Sequence, residues 1–245
     1  ILTNITFDGF AYNCLRVMEE CLALKPDLVF LWDEAWWAFA RFHPLLRLRT
    51  AMFSAKRLVD RYTLSNIRDQ YQQWRALTLA TIDPLDVETL VRTRLYPDPS
   101  KVRIRVYATQ STHKTLTALR QGSVIHVFDQ DFKRHSFEEA FFSHTSTSPN
   151  YQILASLDVG CRQVDLAGYK LVNKQLHEAL QIRLTISHNE TIAKYFHACH
   201  PKDLIPSEFR LSGFESYEDQ SDWSRIYGIW GEEGDEFVLD PCRIT

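Results

Sequence analysis

A continuous apolar run, Leu28 to Trp32 (LVFLW), sets the strongest limit on how this chain can fold. Asp27 and Asp33 flank the run, and its apolar residues do not alternate with polar ones. This pattern is typical of a parallel strand that is covered on both faces, because helices then pack on both sides of the sheet. The run is far shorter than the about 20 apolar residues that a membrane-spanning helix requires. It therefore predicts a buried strand of an α/β protein.

Further strands are predicted from short runs of apolar, β-branched and aromatic residues. Val102 to Tyr107 (VRIRVY) alternates apolar and basic side chains, as a strand with one covered face does. Three more segments are predicted strands: Val124 to Phe128, Ile226 to Trp230 and Glu236 to Leu239.

Segments with helical spacing of apolar residues separate these strands. They predict helices over Tyr12 to Leu22, Leu58 to Trp74, Glu138 to Phe142 and Tyr151 to about Ile186. Asp83 and Pro84 are expected to begin a further helix, because aspartate caps helix N-termini and proline suits the first helical position. This order of elements predicts an α/β fold with a mostly parallel sheet and right-handed crossovers.

Charge and cysteine content argue against several kinds of site. The 28 basic and 31 acidic residues are spread without long blocks, so we expect neither nucleic acid nor a membrane as a partner. No signal-peptide pattern precedes the first apolar run, which favours a soluble, cytoplasmic protein. The five cysteines form no CxxC pair, which indicates reduced thiols. His197, Cys199 and His200 (HACH) have no second cluster of ligands, so we expect a helix C-terminus there and no metal.

Asp33 and Lys114 each follow a predicted strand. In open α/β sheets ligands bind in the crevice outside the C-terminal strand ends, so both side chains are expected to face one crevice. A lysine can form a Schiff base there, and a carboxylate can keep a heterocyclic nitrogen protonated. Pyridoxal phosphate requires this pairing. Spacing alone leaves open a solvated lysine and an aspartate that only caps a turn.

Longer motifs surround these two residues. Asp33 to Ala35 (DEA), Ser111 to Lys114 (STHK) and His144 to Pro149 (HTSTSP) occur in this order, between Asn4 to Gly9 (NITFDG) and Leu239 to Thr245 (LDPCRIT). In these motifs the chain resembles the Orn/Lys/Arg decarboxylase family of fold-type-I pyridoxal-phosphate enzymes. The STHK and TSTSP motifs together are specific, whereas DEA alone is common.

The resemblance implies the three-layer, mostly parallel α/β architecture of the aspartate-aminotransferase-like superfamily. It also implies that the chain is a fragment, because the family's phosphate loop and its ring-stacking residue would precede Asn4 and neither occurs here. Residues 1–187 would form the C-terminal part of the large cofactor domain, with a helical insertion at about 45–101. Residues 188–245 would begin a small α+β C-terminal domain.

The resemblance also implies roles for individual residues around the cofactor. Lys114 would bind pyridoxal phosphate as a Schiff base and later transfer a proton, while Asp33 would pair with the pyridine nitrogen. Ala35 would pack against one face of the ring, where a larger side chain would collide. The resemblance assigns His113 to the catalytic residues together with Lys114 and Asp33. Ser111 and His113 would reach the phosphate, although a packed histidine is the alternative for His113.

Four further residues receive roles from the same resemblance. Thr6 would contact the cofactor's ring oxygen, and Trp36 would border the substrate pocket, unless it is a core aromatic. Thr147 and Ser148 would contact the phosphate bound by a second subunit of a homodimer or larger homo-oligomer. The alternative for this loop is a helix N-cap supplied by Ser148.

The implied reaction is decarboxylation of lysine, arginine or ornithine to the corresponding amine, with release of carbon dioxide. The sequence does not identify which of the three is the substrate. Two other classes stay open. A fold-type-I aminotransferase would share Asp33 and Lys114, and a non-catalytic paralogue or fragment would retain the fold.

Overall fold

The computed structural model describes residues 1–83, 85–218 and 222–245. Its strands in these ranges are β1 Leu2–Thr3, β2 Phe10–Tyr12, β3 Val29–Asp33, β4 Arg105–Gln110, β5 Val124–Asp129 and β6 Phe237–Leu239. Its helices there are α1 Cys14–Leu24, α2 Ala51–Tyr62, α3 Ile67–Leu77, α4 Val87–Arg92, α5 Thr112–Thr115, α6 Arg134–His144, α7 Tyr151–His188, α8 Pro201–Leu204 and α9 Trp223–Trp230.

The main sheet has the strand order β1-β3-β4-β5. Strands β1, β3 and β4 are parallel, and β5 is antiparallel to β4. The α/β fold with a mostly parallel sheet is therefore confirmed. The parallel register pairs Asp33 with Thr3 on one side and with Thr109 on the other, so the C-terminal ends of three strands lie together.

One face of β3 is covered as expected. Phe30 and Trp32 are buried in a core that also contains Met18 of α1 and Leu58 of α2. These two helices cover this face of the sheet. Residues on the opposite face are more accessible, and Val29 is 45% exposed. Among the described residues of β3, Phe30 and Trp32 are buried whereas Val29 and Leu31 are not, so the apolar run is fully covered on one face only and the expected cover on both faces is wrong.

A second core joins the two ends of the chain. Strand β2 pairs with β6 in a small antiparallel sheet, and both pack with the second half of α7 and with α9. The buried guanidinium of Arg49 donates from Nε to the carbonyl oxygen of Trp230 (2.7 Å) and from Nη2 to that of Ile229 (2.7 Å). The last carbonyls of a helix have no partner within the helix, and the Arg49 guanidinium supplies hydrogen-bond donors to those of α9. The domain division at residue 187 stays a prediction.

The predicted strand over Ile226 to Trp230 is wrong, because this segment lies in helix α9. The side chain of Asp222 caps the helix by accepting from the backbone N–H of Arg225. Ile226, Ile229 and Trp230 then fall on one buried face, at helical rather than strand spacing. The short apolar run was compatible with either a strand or a helix. The N-cap formed by Asp222 favours the helix.

The single long helix predicted over Leu58 to Trp74 is also wrong. It is divided into α2 and α3, and the hydroxyl of Thr63 donates to the carbonyl of Asp60 at the break. α2 buries residues on the core side, whereas α3 buries none. The apolar spacing continues across the break although only the first helix packs on the sheet.

The starts of α1, α4, α6 and β4 differ from prediction, and those of α4 and β4 have a clear local cause. Helix α4 is capped by Asp86, whose side chain accepts from the backbone N–H of Thr89, and not by Asp83. Pro84 lies outside the described residues. Strand β4 begins at Arg105 and continues to Gln110, so it starts and ends later than the VRIRVY segment. This shift brings its C-terminal end closer to Lys114.

The HACH segment is not a helix C-terminus. It is non-helical and leads into α8, where His200 is the N-cap residue. His197 Nε2 lies 3.1 Å from Asp203 Oδ2, and His200 Nδ1 lies 3.1 Å from Ser216 Oγ. The described ranges contain no group of three or more residues arranged to hold a metal ion. The five cysteines are free thiols, as predicted. No helix in the described part of the chain is long and apolar enough to cross a membrane.

Candidate active site

The C-terminal ends of β3 and β4 form the floor of the candidate site. Asp33 and Thr109 are register partners, and the backbone N–H of Glu34 donates to the Thr109 carbonyl (2.9 Å), which extends the pairing by one bond. After β4 the chain passes Ser111 into the single-turn helix α5, which carries Lys114. The two predicted residues therefore follow adjacent strand ends.

Asp33 is half-buried, and its Oδ1 accepts from the backbone N–H of Ala35 (2.9 Å). This bond closes a tight turn directly after the strand. Ala35 is half-buried next to it. This hydrogen bond thus holds Ala35, which was predicted to pack against the cofactor ring, beside the Asp33 carboxylate.

Glu34 is a structural residue that sequence reasoning missed. Its carboxylate is fully buried and accepts from Asn4 Nδ2 (2.8 Å), the backbone N–H of Ala51 (2.7 Å) and Gln110 Nε2 (3.0 Å). These bonds join the segment after β1, the start of α2 and the end of β4. Burial raises the pKa of Glu34, and the three donors act against this shift.

A signal for Glu34 was present in the sequence. Alternate residues of a strand point to the same face, so Glu34 shares the direction of the buried Trp32. An acidic residue on that face needs hydrogen-bond donors in the core. The neighbouring Asp33 points to the other face and remains accessible.

The Trp36 ring contacts two cations from distant parts of the chain. Lys114 Nζ is 4.6 Å from the centre of the Trp36 ring, and Arg243 Cζ is 5.1 Å from it. Phe7 packs edge-on against the same ring, with ring centres 5.2 Å apart. The structure thus brings Lys114 and Trp36 together, as a shared site requires. Arg243 was not predicted, although it lies in the LDPCRIT motif.

Ser111 and His113 lie close to Lys114, at the start of helix α5. Ser111 is the N-cap residue of α5, but its side chain forms no capping hydrogen bond. His113 Nδ1 lies 2.9 Å from the carbonyl oxygen of Gly122. Since a carbonyl only accepts, Nδ1 carries the proton in this pair, and in the neutral ring Nε2 is then an acceptor.

Helix α7 supports the loop that follows Lys114. The hydroxyl of Ser156 accepts from the backbone N–H of Leu119 (3.0 Å). A Cβ atom at Gly160 would lie 2.1 Å from the carbonyl oxygen of Thr117, so only glycine permits this close approach. The loop position therefore depends on packing against a helix that begins much later in the chain.

Thr6 uses its hydroxyl within a turn. Its Oγ1 accepts from the backbone N–H of Phe10 (3.1 Å), and its carbonyl accepts from Gly9. Phe7 of the same turn contacts Trp36, so Thr6 lies next to the candidate site. Its predicted contact with a cofactor stays a prediction.

Thr147 and Ser148 are exposed in the loop between α6 and α7. Helix α7 is capped by Asn150, whose Oδ1 accepts from the backbone N–H groups of Gln152 and Ile153. A cap supplied by Ser148 is therefore wrong, because Asn150 already satisfies these donors. In the described ranges no side-chain hydrogen bond or ion pair joins Thr147 or Ser148 to Lys114. Their action in a second subunit stays a prediction.

A cavity of about 200 Å³ adjoins Glu34 and Gln110. His126 and Cys161 also line it, but Asp33 and Lys114 do not. This cavity belongs to the packing between the sheet and α7, and the candidate site lies at the strand ends.

The family model for the Orn/Lys/Arg decarboxylase major domain matches residues 92–245, which include the STHK, HTSTSP and LDPCRIT motifs. The chain belongs to the Orn/Lys/Arg decarboxylase family. This membership confirms the resemblance that the motifs indicated.

Named relatives of this family align with three quarters or more of the chain. The lysine decarboxylase LdcA of Pseudomonas aeruginosa is 28% identical over 253 residues, covering 100% of this chain and 27% of the relative. The biodegradative arginine decarboxylase of Escherichia coli is 30% identical over 188 residues, covering 75% of this chain and 19% of the relative. The Francisella novicida lysine decarboxylase LdcF matches in structure with a TM-score of 0.55 at 24% identity, covering 98% of this chain and 26% of that one. The chain spans about a quarter of the length of these lysine decarboxylases.

Proposed function

We propose that the protein containing this chain is a pyridoxal-phosphate-dependent decarboxylase of a basic amino acid. The observation that carries the proposal is the register of Asp33 with Thr109, which sets Asp33 and the Lys114 turn at adjacent strand ends. Membership in the Orn/Lys/Arg decarboxylase family supports it. Relatives named as lysine, arginine and ornithine decarboxylases support a basic amino acid as substrate.

The residues at these strand ends fit pyridoxal phosphate. Lys114 is exposed, and its Nζ lies 4.6 Å from the centre of the Trp36 ring. Asp33 uses Oδ1 for Ala35, which leaves Oδ2 for a ring nitrogen. The uncapped hydroxyl of Ser111 can donate to a phosphate, and His113 can donate from Nε2 when its imidazole is protonated.

When bound, pyridoxal phosphate would supply an electron sink for the bond that breaks at the α-carbon. Asp33 would hold a proton on the ring nitrogen through Oδ2, and Ala35 would leave room for the ring. Lys114 would hold the cofactor covalently and, once released, would return a proton from Nζ to the α-carbon. Trp36 would keep Nζ at the edge of the substrate pocket.

We further propose a homodimer or larger homo-oligomer in the cytoplasm as the active form. Thr147 and Ser148 would donate to the phosphate bound by the neighbouring subunit. Their exposure and their freedom from the helix cap support this role. Residues 1–187 would belong to the large domain, and residues 188–245 would begin the small one.

The deciding experiment is an assay of the full-length protein with carboxyl-labelled lysine, arginine and ornithine. We expect labelled carbon dioxide and the corresponding amine from at least one substrate. Transfer of the amino group to a keto acid without carbon dioxide would show an aminotransferase. Neither product under conditions where the cofactor is bound would indicate a non-catalytic member of the family.

A further inference from the structure

The cavity of about 200 Å³ between the sheet and α7 has a wall that is mostly apolar and partly polar. Glu34, Gln110 and Thr112 are three of its polar lining residues. A single water needs only roughly 10–15 Å³ of such space, so the cavity has room for a small organic molecule. The apolar part of the wall includes Ala38, Phe42, Met52, Leu116, Leu157 and Val164.

Glu34 brings a buried negative charge to this cavity without a cation beside it. Its three hydrogen-bond donors are two side-chain amides and a backbone N–H, and all are uncharged. Glu19 is equally buried, but Arg61 Nη1 and Arg94 Nη2 each lie 2.7 Å from its carboxylate oxygens. No ion pair within the described ranges includes Glu34. Because a buried charge is costly without an opposite charge, a cation in the cavity would supply what Glu34 lacks.

Three oxygen atoms of the lining residues can accept further hydrogen bonds. Gln110 Nε2 donates to Glu34 Oε2 (3.0 Å), and Gln110 Oε1 lies 3.1 Å from His126 Nε2. Each of these two oxygens has a second lone pair. Thr112 is 7% exposed, and its Oγ1 has no hydrogen-bond partner among the residues that the structure describes. A primary ammonium has three donors and no acceptor, so it matches these three oxygens.

Arg41 distinguishes the outer end of the cavity from the inner end. It lines the same space but is exposed, whereas Glu34, Gln110 and Thr112 are buried. A second positive charge on a ligand would be repelled by Arg41, and a carboxylate would be attracted to it. The two ends of the cavity therefore differ in the charge that they favour.

We propose that this cavity is a second ligand site, which binds a short aliphatic ω-amino carboxylate. The ammonium group would bind Glu34, Gln110 and Thr112 at the inner end, and the carboxylate would pair with Arg41 at the outer end. The apolar wall would cover the carbon chain between them. Neither Asp33 nor Lys114 lines the cavity, so the inference goes beyond the proposed function and does not depend on it.

The test measures dissociation constants by calorimetry on the full-length protein. The protein is first reduced with borohydride in the presence of pyridoxal phosphate, so that an added amine cannot form a Schiff base with the cofactor. The ligands are 5-aminopentanoate, n-pentylamine, cadaverine and pentanoate, which share one carbon chain and differ in their end groups. We expect 5-aminopentanoate to bind most tightly, n-pentylamine less tightly and cadaverine more weakly still. Pentanoate should not bind, because it has no ammonium for Glu34.

Three variants remove one predicted contact each. Thr112→Val removes the hydroxyl with little change in shape, and it should weaken 5-aminopentanoate and n-pentylamine alike by roughly fivefold, as expected for one hydrogen bond. Glu34→Gln should weaken both ligands at least about tenfold, because the buried charge is lost. Arg41→Gln should weaken 5-aminopentanoate but strengthen cadaverine, a reversal that a loss of folding would not produce. Arg68→Gln, at an exposed arginine on α3, is the control and should change neither affinity.

Circular dichroism shows whether each variant is folded, and Thr112→Val with Arg41→Gln decides the matter if Glu34→Gln is not. Absence of binding to the wild-type protein would overturn the inference, and so would equal affinity for pentanoate and 5-aminopentanoate. Affinities that did not change in Thr112→Val and Arg41→Gln would also overturn it. If Asp33→Asn weakened binding as much as Thr112→Val, the ligand would occupy the candidate active site, and a separate site would be wrong.

Discussion

The Nζ atom of Lys114 lies 4.6 Å from the centre of the Trp36 ring, although the two residues follow different strands. A cation over an indole face is stabilised by the ring quadrupole. The contact holds the lysine over the end of β3, on which Asp33 lies, and it links the two halves of the candidate site.

Lys114 should be the lysine that binds the cofactor. Reduction of the full-length protein with borohydride in the presence of pyridoxal phosphate should label one tryptic peptide, the one containing Lys114. Lys114→Ala should abolish both the label and turnover, whereas Lys170→Ala, an exposed lysine on α7, should retain both. Labelling of another lysine in the wild-type protein would show that the assignment is wrong.

Asp33→Asn should retain the cofactor but lower kcat roughly 100-fold, because an amide no longer holds a proton on the ring nitrogen. Steady-state carbon dioxide release and cofactor absorbance measure the two effects. Glu34→Gln is the matched control, since it neutralises the adjacent acid on the other face. If turnover fell equally in both variants, the loss would reflect a disturbed end of β3, and the proposed role of the Asp33 carboxylate would be wrong.

Glu34→Ala should destabilise the protein by roughly 2–3 kcal/mol, because three buried donors lose their common acceptor. These donors are Asn4 Nδ2, the backbone N–H of Ala51 and Gln110 Nε2. Glu34→Gln should cost less, since its oxygen still accepts and the Gln110 amide can rotate. The midpoint of thermal unfolding measures both, with Glu190→Ala as an exposed control. An unchanged midpoint in Glu34→Ala would contradict this role.

Acid should destabilise the fold through His43. Its Nδ1 accepts from the backbone N–H of Leu45 (3.2 Å), its Nε2 lies 3.3 Å from Asn173 Oδ1, and burial lowers its pKa. The unfolded chain therefore takes up a proton below about pH 6.5 while the folded chain does not, so stability falls as the pH drops through this window. The midpoint of thermal unfolding should fall between pH 7.5 and pH 5.5, an interval of about two pH units. His43→Asn should reduce this fall, whereas the exposed control His135→Asn should not.

Thr147 and Ser148 should act across a subunit interface. A Lys114→Ala subunit and a subunit carrying Thr147→Ala and Ser148→Ala would each be inactive alone. In a mixed dimer one site keeps both Lys114 and the loop hydroxyls, and the other site loses both. When half of random dimers are mixed and each has one intact site, activity should recover to roughly a quarter of the wild-type level. Verified heterodimers without recovery would place the loop in its own subunit or outside the site.

The sequence alone predicted three of the strands of the main sheet, β3, β4 and β5, and it indicated the family. The LVFLW run and the segments with helical spacing predicted strands and helices because local periodicity reflects which faces are buried. The STHK and HTSTSP motifs then identified Lys114, Asp33 and their neighbours as candidates. Helix α7 was also predicted nearly to its observed end.

Only the tertiary structure decided which distant groups meet. Ile226 to Trp230 is helical because Asp222 caps it and Arg49 satisfies its last carbonyls, and neither contact follows from the run itself. Arg243 reaches Trp36 because Gly9 leaves space for its stem. Such contacts join residues far apart along the chain, so they depend on packing and not on local pattern. Periodicity therefore predicted many of the elements, whereas the charges of the candidate site were arranged by the fold.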